Sequence, residues 1–115
     1  MADDLALVPG TLDLLVLNTL RWGPRHGYSV ARWIKEQSRG ALLVEDRALY
    51  LALHRLEERG WIESEWGISE NNRKARYYRL TRAGRKQSEL KTVEWQRYAA
   101  IVARMLRVSM AEATG

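Results

Sequence analysis

The sequence of 115 residues contains no cysteine, which excludes disulfide bonds, thiolate-ligated zinc or iron–sulfur clusters and a cysteine nucleophile, and fits a reducing compartment. Its two histidines, His26 and His54, form no His-x-x-x-His pair, so a zinc site would need several carboxylates from elsewhere in the chain. Neither a Gly-x-Ser-x-Gly turn nor a glycine-rich phosphate loop is present. We therefore expect no enzymatic activity, no metal site and no cofactor.

Long hydrophobic runs are also missing. No apolar run approaches the roughly 18 residues of a membrane span. A secretory signal begins with a positively charged region, whereas this sequence carries the acidic pair Asp3-Asp4 near its start. We therefore expect a cytoplasmic protein that does not enter a membrane. The length is typical of one domain, and 46% hydrophobic with 29% charged residues is typical of a compact protein.

Positive charge is concentrated in one stretch of the chain. The sequence has 19 Lys and Arg against 14 Asp and Glu, a formal charge of +5 and a pI of about 9.9. Between Glu70 and Lys91 there are eight cations and two anions, a local excess of +6 that is larger than that of the whole chain. Such a stretch favours a polyanionic partner.

Two short helices are predicted after a tail over residues 1–10. Thr11 is a candidate N-cap for a first helix that runs to Trp22, because apolar residues recur there at helical spacing. Residues 23–27 read as a turn, and a second helix follows that ends at residues 38–40. Residues 41–45 are predicted to form at most a stub of strand.

A third helix is predicted to begin with Asp46 as its cap and to end at Gly60, which occupies the position of a left-handed C-cap. Leu49, Leu53 and Leu56 are spaced to form its buried stripe. The residues predicted to point outwards are Arg47, Tyr50, Leu51, His54 and Arg55.

A β-hairpin is predicted next, because the apolar period changes from helical to two. Its strands are residues 61–66 and 75–81, and its tip, residues 69–74, is polar, basic and turn-prone through two asparagines. Arg79 and Arg82 either extend the basic tip or pair with acidic residues across the hairpin. The carboxylates in and before the hairpin are expected to be solvated: Glu57, Glu58, Glu63 and Glu65.

The last predicted element is a helix over residues 82–108, about 40 Å long, with Thr81 as its cap. Gly84 is expected to weaken its first turn. Its apolar surface is broader than one neighbour needs, which predicts contact with a second chain. The residues of this surface are Leu90, Val93, Trp95, Tyr98, Ala99, Ile101, Val102, Met105 and Leu106.

Together these elements predict a mainly α fold with a small β-hairpin. The predicted parts are a winged helix-turn-helix DNA-binding domain over residues 1–81 and one long C-terminal dimerisation helix over residues 82–115, which form one structural unit. In such a fold the third helix occupies the major groove, while the hairpin tip lies along the backbone or enters the minor groove. The helix pair, the exposed Arg, Tyr and His side chains and the cationic hairpin indicate DNA binding jointly.

Three segments also carry a family resemblance. They are His26-Gly27-Tyr28, the run from Leu49-Tyr50 to Gly60, and the stretch from Glu65 to Thr81 with its Asn-Asn-Arg tip and Tyr-Tyr-x-Leu-Thr end. On these residues the chain resembles the PadR family of bacterial winged-helix transcriptional regulators, over most of residues 11–107. Its single C-terminal helix is similar to that of the shorter members. The resemblance implies a DNA-binding regulator, a repressor that acts as a homodimer on a pseudo-palindromic operator.

Two departures from the family pattern concern the third helix. Arg47-Ala48 stands where many relatives have Gly-Ser, and Leu51 stands where many have proline. A lost serine hydroxyl removes a phosphate contact, whereas Arg47 can replace it or bind guanine edges, and Leu51 can meet a thymine methyl group. The operator sequence is therefore not predicted by the resemblance.

The predicted DNA contacts come from the second helix, the third helix and the hairpin: Tyr28, Arg47, Ala48, Tyr50, Leu51, His54, Asn71, Asn72, Arg73, Lys74 and Arg76. Amide and cationic side chains suit phosphate oxygens and a narrow groove. A simpler alternative stays open for each group. Tyr28 and Tyr50 can be packing residues, Arg47 and His54 can be solvated, and a charged hairpin tip can merely keep the protein soluble.

A second candidate site lies on the last helix and the first: Leu14, Trp95, Tyr98, Ala99, Val102 and Met105. The resemblance implies dimerisation through these two helices. In some relatives facing tryptophans form a slot for planar aromatic molecules, which implies a small aromatic effector that releases DNA. The alternative is that Trp95 is a core residue without a ligand. For the whole chain, the alternative is a protein-interaction adaptor that uses the winged fold without sequence-specific DNA binding.

Overall fold

The computed structural model describes residues 7, 10–108 and 112. Its elements in chain order are α1 (Thr11–Thr19), a 3₁₀ turn (Leu20–Trp22), β1 (Arg25–His26), α2 (Gly27–Gln37), α3 (Asp46–Glu58), β2 (Ile62–Ile68), β3 (Lys74–Leu80) and α4 (Arg82–Leu106). Four helices, a small antiparallel sheet and a long last helix confirm the predicted fold class. Most of the predicted tail and the outer ends of the predicted ranges 1–81 and 82–115 lie outside the described residues.

The sheet is the predicted hairpin with one extra strand. β2 and β3 pair from Ile62 opposite Leu80 to Ile68 opposite Lys74, so the strands extend further towards the tip than the sequence pattern indicated. β1 pairs with the other edge of β3 and gives the strand order β1-β3-β2. This strand lies within the predicted turn over residues 23–27, and its two residues are too few to show a periodic pattern.

One hydrophobic core joins the first three helices to the base of the hairpin. The predicted stripe of α3, Leu49, Leu53 and Leu56, is buried. Burying one such side chain stabilises the fold by about 1.5–3 kcal/mol, so this stripe fixes which side of α3 faces outwards. The other buried apolar residues are Leu12, Val16, Leu17, Leu20, Val30, Ile34, Ala52, Ile62 and Tyr78.

Two predicted helix starts are displaced by one residue. Gly10, not Thr11, is the N-cap of α1, and Glu45, not Asp46, is the N-cap of α3; neither makes a side-chain cap hydrogen bond. Asp46 still lies in the first turn, where its negative charge interacts favourably with the helix dipole. The predicted strand stub over residues 41–45 contains a single bridge residue and no strand.

The chain passes from α3 into β2 through a tight turn at Gly60. Gly60 has a φ of 74°, and its N–H donates to the Glu57 carbonyl at 3.0 Å. The Trp61 N–H donates to the Leu56 carbonyl, also at 3.0 Å. This is a Schellman motif, which confirms the predicted left-handed cap. Since Ile62 is buried two residues later, the motif turns the hairpin directly against the C-terminal end of α3.

The helix α4 begins against the same turn. Thr81 is its N-cap, as predicted: the Thr81 hydroxyl accepts from the Gly84 N–H at 3.0 Å and donates to the Gly60 carbonyl at 2.7 Å. A Cβ added at Gly84 would lie 1.7 Å from the Trp61 carbonyl oxygen. Gly84 therefore has a tertiary role beyond its expected weakening of the first turn, because the absence of a side chain is what lets α4 approach Trp61 so closely.

Replacing Gly84 by alanine tests this contact. Alanine in a helix interior is normally about 1 kcal/mol more stable than glycine. At this position the added methyl group meets backbone, and we expect Gly84→Ala to lower the free energy of unfolding by about 3 kcal/mol, which chemical denaturation measures. The control is Gly27→Ala, whose Cβ would meet only Leu53 at an ordinary 3.6 Å. Equal stability of the two variants would contradict the close approach.

Candidate nucleic-acid interface

A cleft of about 770 Å³ lies between the outward side of α3 and the inner face of the hairpin. The hairpin residues on this face are alternate positions of β2 and β3, and they include Trp66 and Arg76, which are paired in register. Tyr50 and His54 line the opposite wall. The predicted reading helix and the predicted wing therefore face the same side of the molecule, as a common surface for one ligand requires.

The outward residues of α3 form a stripe with a period of three and four. Arg47, Tyr50, Leu51 and His54 are all exposed, and Tyr50 retains 69% of its accessible surface. Tyr50 is therefore not a packing residue. Ala48 does not share this stripe: it is half-buried and packs against the core. Four of the five predicted α3 contacts are thus presented to a partner together.

His54 and Arg55 of α3 have partners within the chain. The His54 Nε2 lies 3.0 Å from the Glu58 carboxylate, one helical turn away. Arg55 contacts Asp13 of α1 at 2.6 Å, and the hydrogen bond with Asp13 raises the pKa of the Arg55 guanidinium. Arg55 points towards α1 and braces two helices, so it differs in role from the neighbouring outward residues.

The hairpin tip is a compact turn that presents polar donors. The Ser69 N–H donates to the Arg73 carbonyl at 2.8 Å, and the Asn72 N–H donates to the Ser69 carbonyl at 2.9 Å. Asn72 has a φ of 57°, a left-handed conformation that asparagine tolerates better than most residues. The side chains of Asn71, Asn72, Arg73 and Lys74 are all exposed. The sequence prediction of a basic, amide-lined tip is confirmed.

Trp66 is a cleft residue that the sequence analysis did not single out. Its indole is 60% exposed although it lies on the inner face of β2. The Lys74 ammonium lies 4.9 Å and the Arg76 guanidinium 5.8 Å from its ring centroid. Cation–π contacts of this kind hold long cationic side chains in place. No local signal in the sequence identifies Trp66, because its exposure follows from how far the hairpin extends beyond the core.

The start of α2 closes one end of the cleft. His26 is the N-cap of α2, and its Nδ1 accepts a hydrogen bond from the Ser29 N–H at 3.1 Å. Tyr28 is 72% exposed and lies beneath the Arg32 guanidinium at 5.9 Å, so it is a surface residue and not a core residue. Tyr78 is buried at the floor of the cleft, and its burial raises the pKa of the phenol.

The cations of the basic stretch and of α3 divide into a group that forms ion pairs with carboxylates and a group that does not. On the outer face of the hairpin the Arg79 Nε donates to Glu63 at 2.8 Å, which raises the pKa of Arg79, and a second contact reaches Glu65 at 3.5 Å. Pairing across the hairpin is therefore the correct alternative for Arg79. By contrast, no ion pair within residues 10–108 involves Arg47, Arg73 or Lys74.

The apolar surface of α4 is open in the single chain. Its only buried residues are Gly84 and Ser88 among those described, and Trp95 is 46% exposed. Trp95 is therefore not a core residue of the isolated chain. The other exposed apolar side chains of α4 are Leu90, Val93, Tyr98, Ile101, Val102, Met105 and Leu106. Ala99 of α4 and Leu14 of α1 are half-buried.

Neither a metal-binding cluster nor a membrane-spanning helix is found in the described part of the chain. No group of three or more His, Asp or Glu side chains there is arranged to hold a metal ion. No helix there is both long enough and apolar enough to cross a membrane.

Comparisons with known proteins agree with this arrangement. The model of the family described as "Transcriptional regulator PadR-like family" matches residues 16–90. A transcriptional regulator from Clostridium thermocellum is similar in structure, with a TM-score of 0.77 and 28% identity over 85% of this chain and 92% of that one. A PadR family regulator from Clostridium difficile has a TM-score of 0.73 and 28% identity over 84% and 99% of the two chains.

A third solved structure and one curated protein extend these matches. A PadR family regulator from Eggerthella lenta has a TM-score of 0.74 and 29% identity over 87% of this chain and 85% of that one. An uncharacterised protein from Lysinibacillus sphaericus is 26% identical over 96 residues, which cover 84% of this chain and 88% of that protein.

The two histidines offer a matched test of the N-cap of α2. We expect His26→Ala to lower the free energy of unfolding by about 1 kcal/mol, because α2 loses its cap, and His26→Asn to restore most of it. The His54→Ala variant breaks only an exposed contact with Glu58 and is expected to change stability by less than about 0.5 kcal/mol. Chemical denaturation measures all three variants. A His26→Ala variant as stable as His54→Ala would show that the cap is not formed.

Proposed function

The chain belongs to the PadR-like family of transcriptional regulators, and on that basis we propose that it is a sequence-specific DNA-binding regulator that reads its operator with α3 and holds the backbone with the hairpin. The observation that carries the proposal is the cleft whose two walls are the exposed stripe of α3 and the inner face of the hairpin. A regulator of this kind works where the chromosome is, so the proposed location is the cytoplasm.

In this proposal α3 lies in the major groove. That groove is about 12 Å wide and admits a helix, and arginine makes bidentate hydrogen bonds to guanine there. Arg47 stands at the start of α3, is exposed and has no ion pair within residues 10–108. Leu51 offers an apolar surface to a thymine methyl group. Tyr50 and His54 continue the stripe towards adjacent bases or phosphates, whereas Ala48 is too close to the core to read bases directly.

The hairpin tip and α2 supply contacts to the backbone. Arg73 and Lys74 are unpaired cations within the described residues, and the amides of Asn71 and Asn72 stand beside them. Phosphate contacts of this kind contribute affinity without reading sequence. Tyr28 extends the same side of the molecule at the start of α2, where its exposed hydroxyl is available to a phosphate oxygen.

A homodimer is the proposed working form. A contiguous apolar surface such as that of α4 is rare on a monomer that remains free in water, and a second copy of the same helix covers it by symmetry. Two reading helices related by a two-fold axis match two half-sites, which gives a pseudo-palindromic operator. We propose repression as the outcome. Release by a small aromatic effector near Trp95 stays a prediction from the resemblance.

Binding to duplex DNA at several salt concentrations tests the DNA interface. Each neutralised phosphate contributes about 0.9 to the slope of log affinity against log salt. We therefore expect Arg73→Ala with Lys74→Ala to lower the slope by about 2 and to weaken binding to all sequences alike. Arg47→Ala is the contrasting variant: it is expected to change base preference, with about 1–3 kcal/mol lost at one base pair.

The same titration distinguishes the proposed regulator from the alternative, a protein-interaction adaptor. An adaptor that recognises another protein through the winged fold would show no steep loss of DNA affinity with added salt. Absence of binding to any duplex at low salt would therefore favour the adaptor over the proposed regulator.

Mass measurement in solution tests the dimer. We expect the wild-type chain to have twice the monomer mass of 13.3 kDa by light scattering. Val102→Glu places a charge in the exposed apolar surface of α4 and is expected to give a monomer. Gln96→Glu adds the same charge at an exposed polar position of α4 and is expected to remain dimeric. A wild-type monomer, or equal masses for the two variants, would contradict this interface.

A further inference from the structure

A closed polar network joins the reading helix to the wing. The Ser64 hydroxyl of β2 donates to the Glu57 carboxylate of α3 at 2.6 Å and accepts from the Arg76 Nε of β3 at 2.8 Å. A second Arg76 nitrogen lies 3.4 Å from the same carboxylate oxygen of Glu57. Each member contacts the other two, so α3, β2 and β3 are connected at one point. The expectation that Glu57 is solvated is therefore wrong, because its carboxylate is bonded to Ser64 and Arg76.

The network also occupies the side chain of Arg76. Its guanidinium has Ser64 and Glu57 on one side and the ring of Trp66 at 5.8 Å. Arg73 and Lys74, which are nearer the tip, have no carboxylate partner within residues 10–108. A phosphate that took over the Arg76 Nε and the Arg76 nitrogen that faces Glu57 would have to displace Ser64 and Glu57, and would leave that carboxylate facing the negative backbone.

The position of the network explains what it can do. β2 and β3 meet the core only at their base, through Ile62, Leu80 and Tyr78. Beyond that base the hairpin projects from the domain, and the Glu57 carboxylate is the point where α3 holds it. Glu57 is itself only 32% exposed, so solvent screens this contact less than it screens a fully exposed pair.

We infer that Glu57 is a positioning residue that sets the wing at its working distance from α3, and that Arg76 transmits this constraint instead of contacting a phosphate. The inference rests on the proposed function, since the distance matters for a duplex held between the two elements. Arg76, which the sequence analysis predicted to contact DNA, is thereby assigned to holding the hairpin instead. A fixed distance favours one docking geometry, so the network supports specific binding more than non-specific binding.

The matched control is a second carboxylate–arginine pair on the same hairpin. Arg79 of β3 pairs with Glu63 at 2.8 Å on the outer face, away from α3. Glu63→Gln and Arg79→Ala therefore remove an ion pair of the same kind without touching the connection to α3. Neither residue belongs to the proposed DNA contacts.

The first experiment uses a duplex that the wild-type protein selects from a random-sequence pool, and a scrambled duplex of the same length. We expect Glu57→Gln and Arg76→Ala each to weaken binding to the selected duplex about fivefold, with less effect on the scrambled one and an unchanged salt slope. The double variant is expected to be no weaker than either single variant, because both break one network. Glu63→Gln and Arg79→Ala are expected to bind like the wild type.

Loss of about 0.9 from the salt slope in Arg76→Ala would show a direct phosphate contact and overturn the inference. Equal affinities for Glu57→Gln and Glu63→Gln would overturn it as well. Equal weakening on both duplexes would indicate a general loss of folded protein, which also contradicts a positioning role. Failure of the wild-type protein to bind any duplex is a different result, because it refutes the proposed function itself.

A second experiment tests the network without DNA. Because the chain has no cysteine, spin labels can be attached at Leu51→Cys on α3 and Glu70→Cys at the tip. Labelled chains are mixed with excess unlabelled chain, so that each dimer carries one labelled copy. We expect Glu57→Gln to broaden the distance distribution between the labels and Glu63→Gln to leave it unchanged. An unchanged distribution in Glu57→Gln would overturn the inference whether or not the protein binds DNA.

Discussion

The arrangement of this protein depends on the backbone of one residue, Trp61. Its N–H donates to Leu56 at the end of α3, and its carbonyl accepts from the Thr81 N–H, where the hairpin ends and α4 begins. The same carbonyl lies so close to Gly84 that no side chain fits there. Three elements are therefore joined within a few ångströms, and the direction of the hairpin relative to α3 follows from that junction.

The rest of the wing geometry is built on the junction. From Ile62 onwards the alternation of β2 directs every second side chain towards α3, and pairing with β3 aligns Tyr78 and Arg76 on the same face. The first residues of that face are buried, and those beyond Ser64 line the cleft. One alternating pattern thus supplies core at the base of the hairpin and the lining of the cleft further out.

Local patterns in the sequence were sufficient to predict the helices, the hairpin and the cap at Gly60. The stripe of Leu49, Leu53 and Leu56 is a periodic signal, and Gly60 is a local conformational one, so neither requires knowledge of distant residues. The caps at Thr11 and Asp46 were misplaced by one residue, because the observed caps Gly10 and Glu45 make no side-chain cap hydrogen bond, so no capping side chain marks these two helix starts. Four of the five predicted α3 contacts are exposed together, because the exposed side of α3 is simply the side opposite its leucines.

What the sequence could not predict depends on contacts between distant positions. β1 exists because Arg25 and His26 pair with β3 more than 50 residues later. Gly84 is explained only by Trp61, and the exposed indole of Trp66 only by how far the hairpin extends beyond the core. Local propensity alone ranks a glycine in a helix as a defect, whereas here the tertiary contact reverses that ranking.

Ion pairs divide the basic stretch of the chain into cations with a carboxylate partner and cations without one. The excess of +6 between residues 70 and 91 suggested one continuous basic patch, yet the structure divides it. Arg79 is neutralised on the outer face and Arg76 is held by Glu57, so the unpaired cations near the cleft are those of the tip and Arg47. Because Glu57 and Glu63 lie outside that stretch and offset Arg76 and Arg79, the effective charge of the proposed interface is smaller than the sequence count.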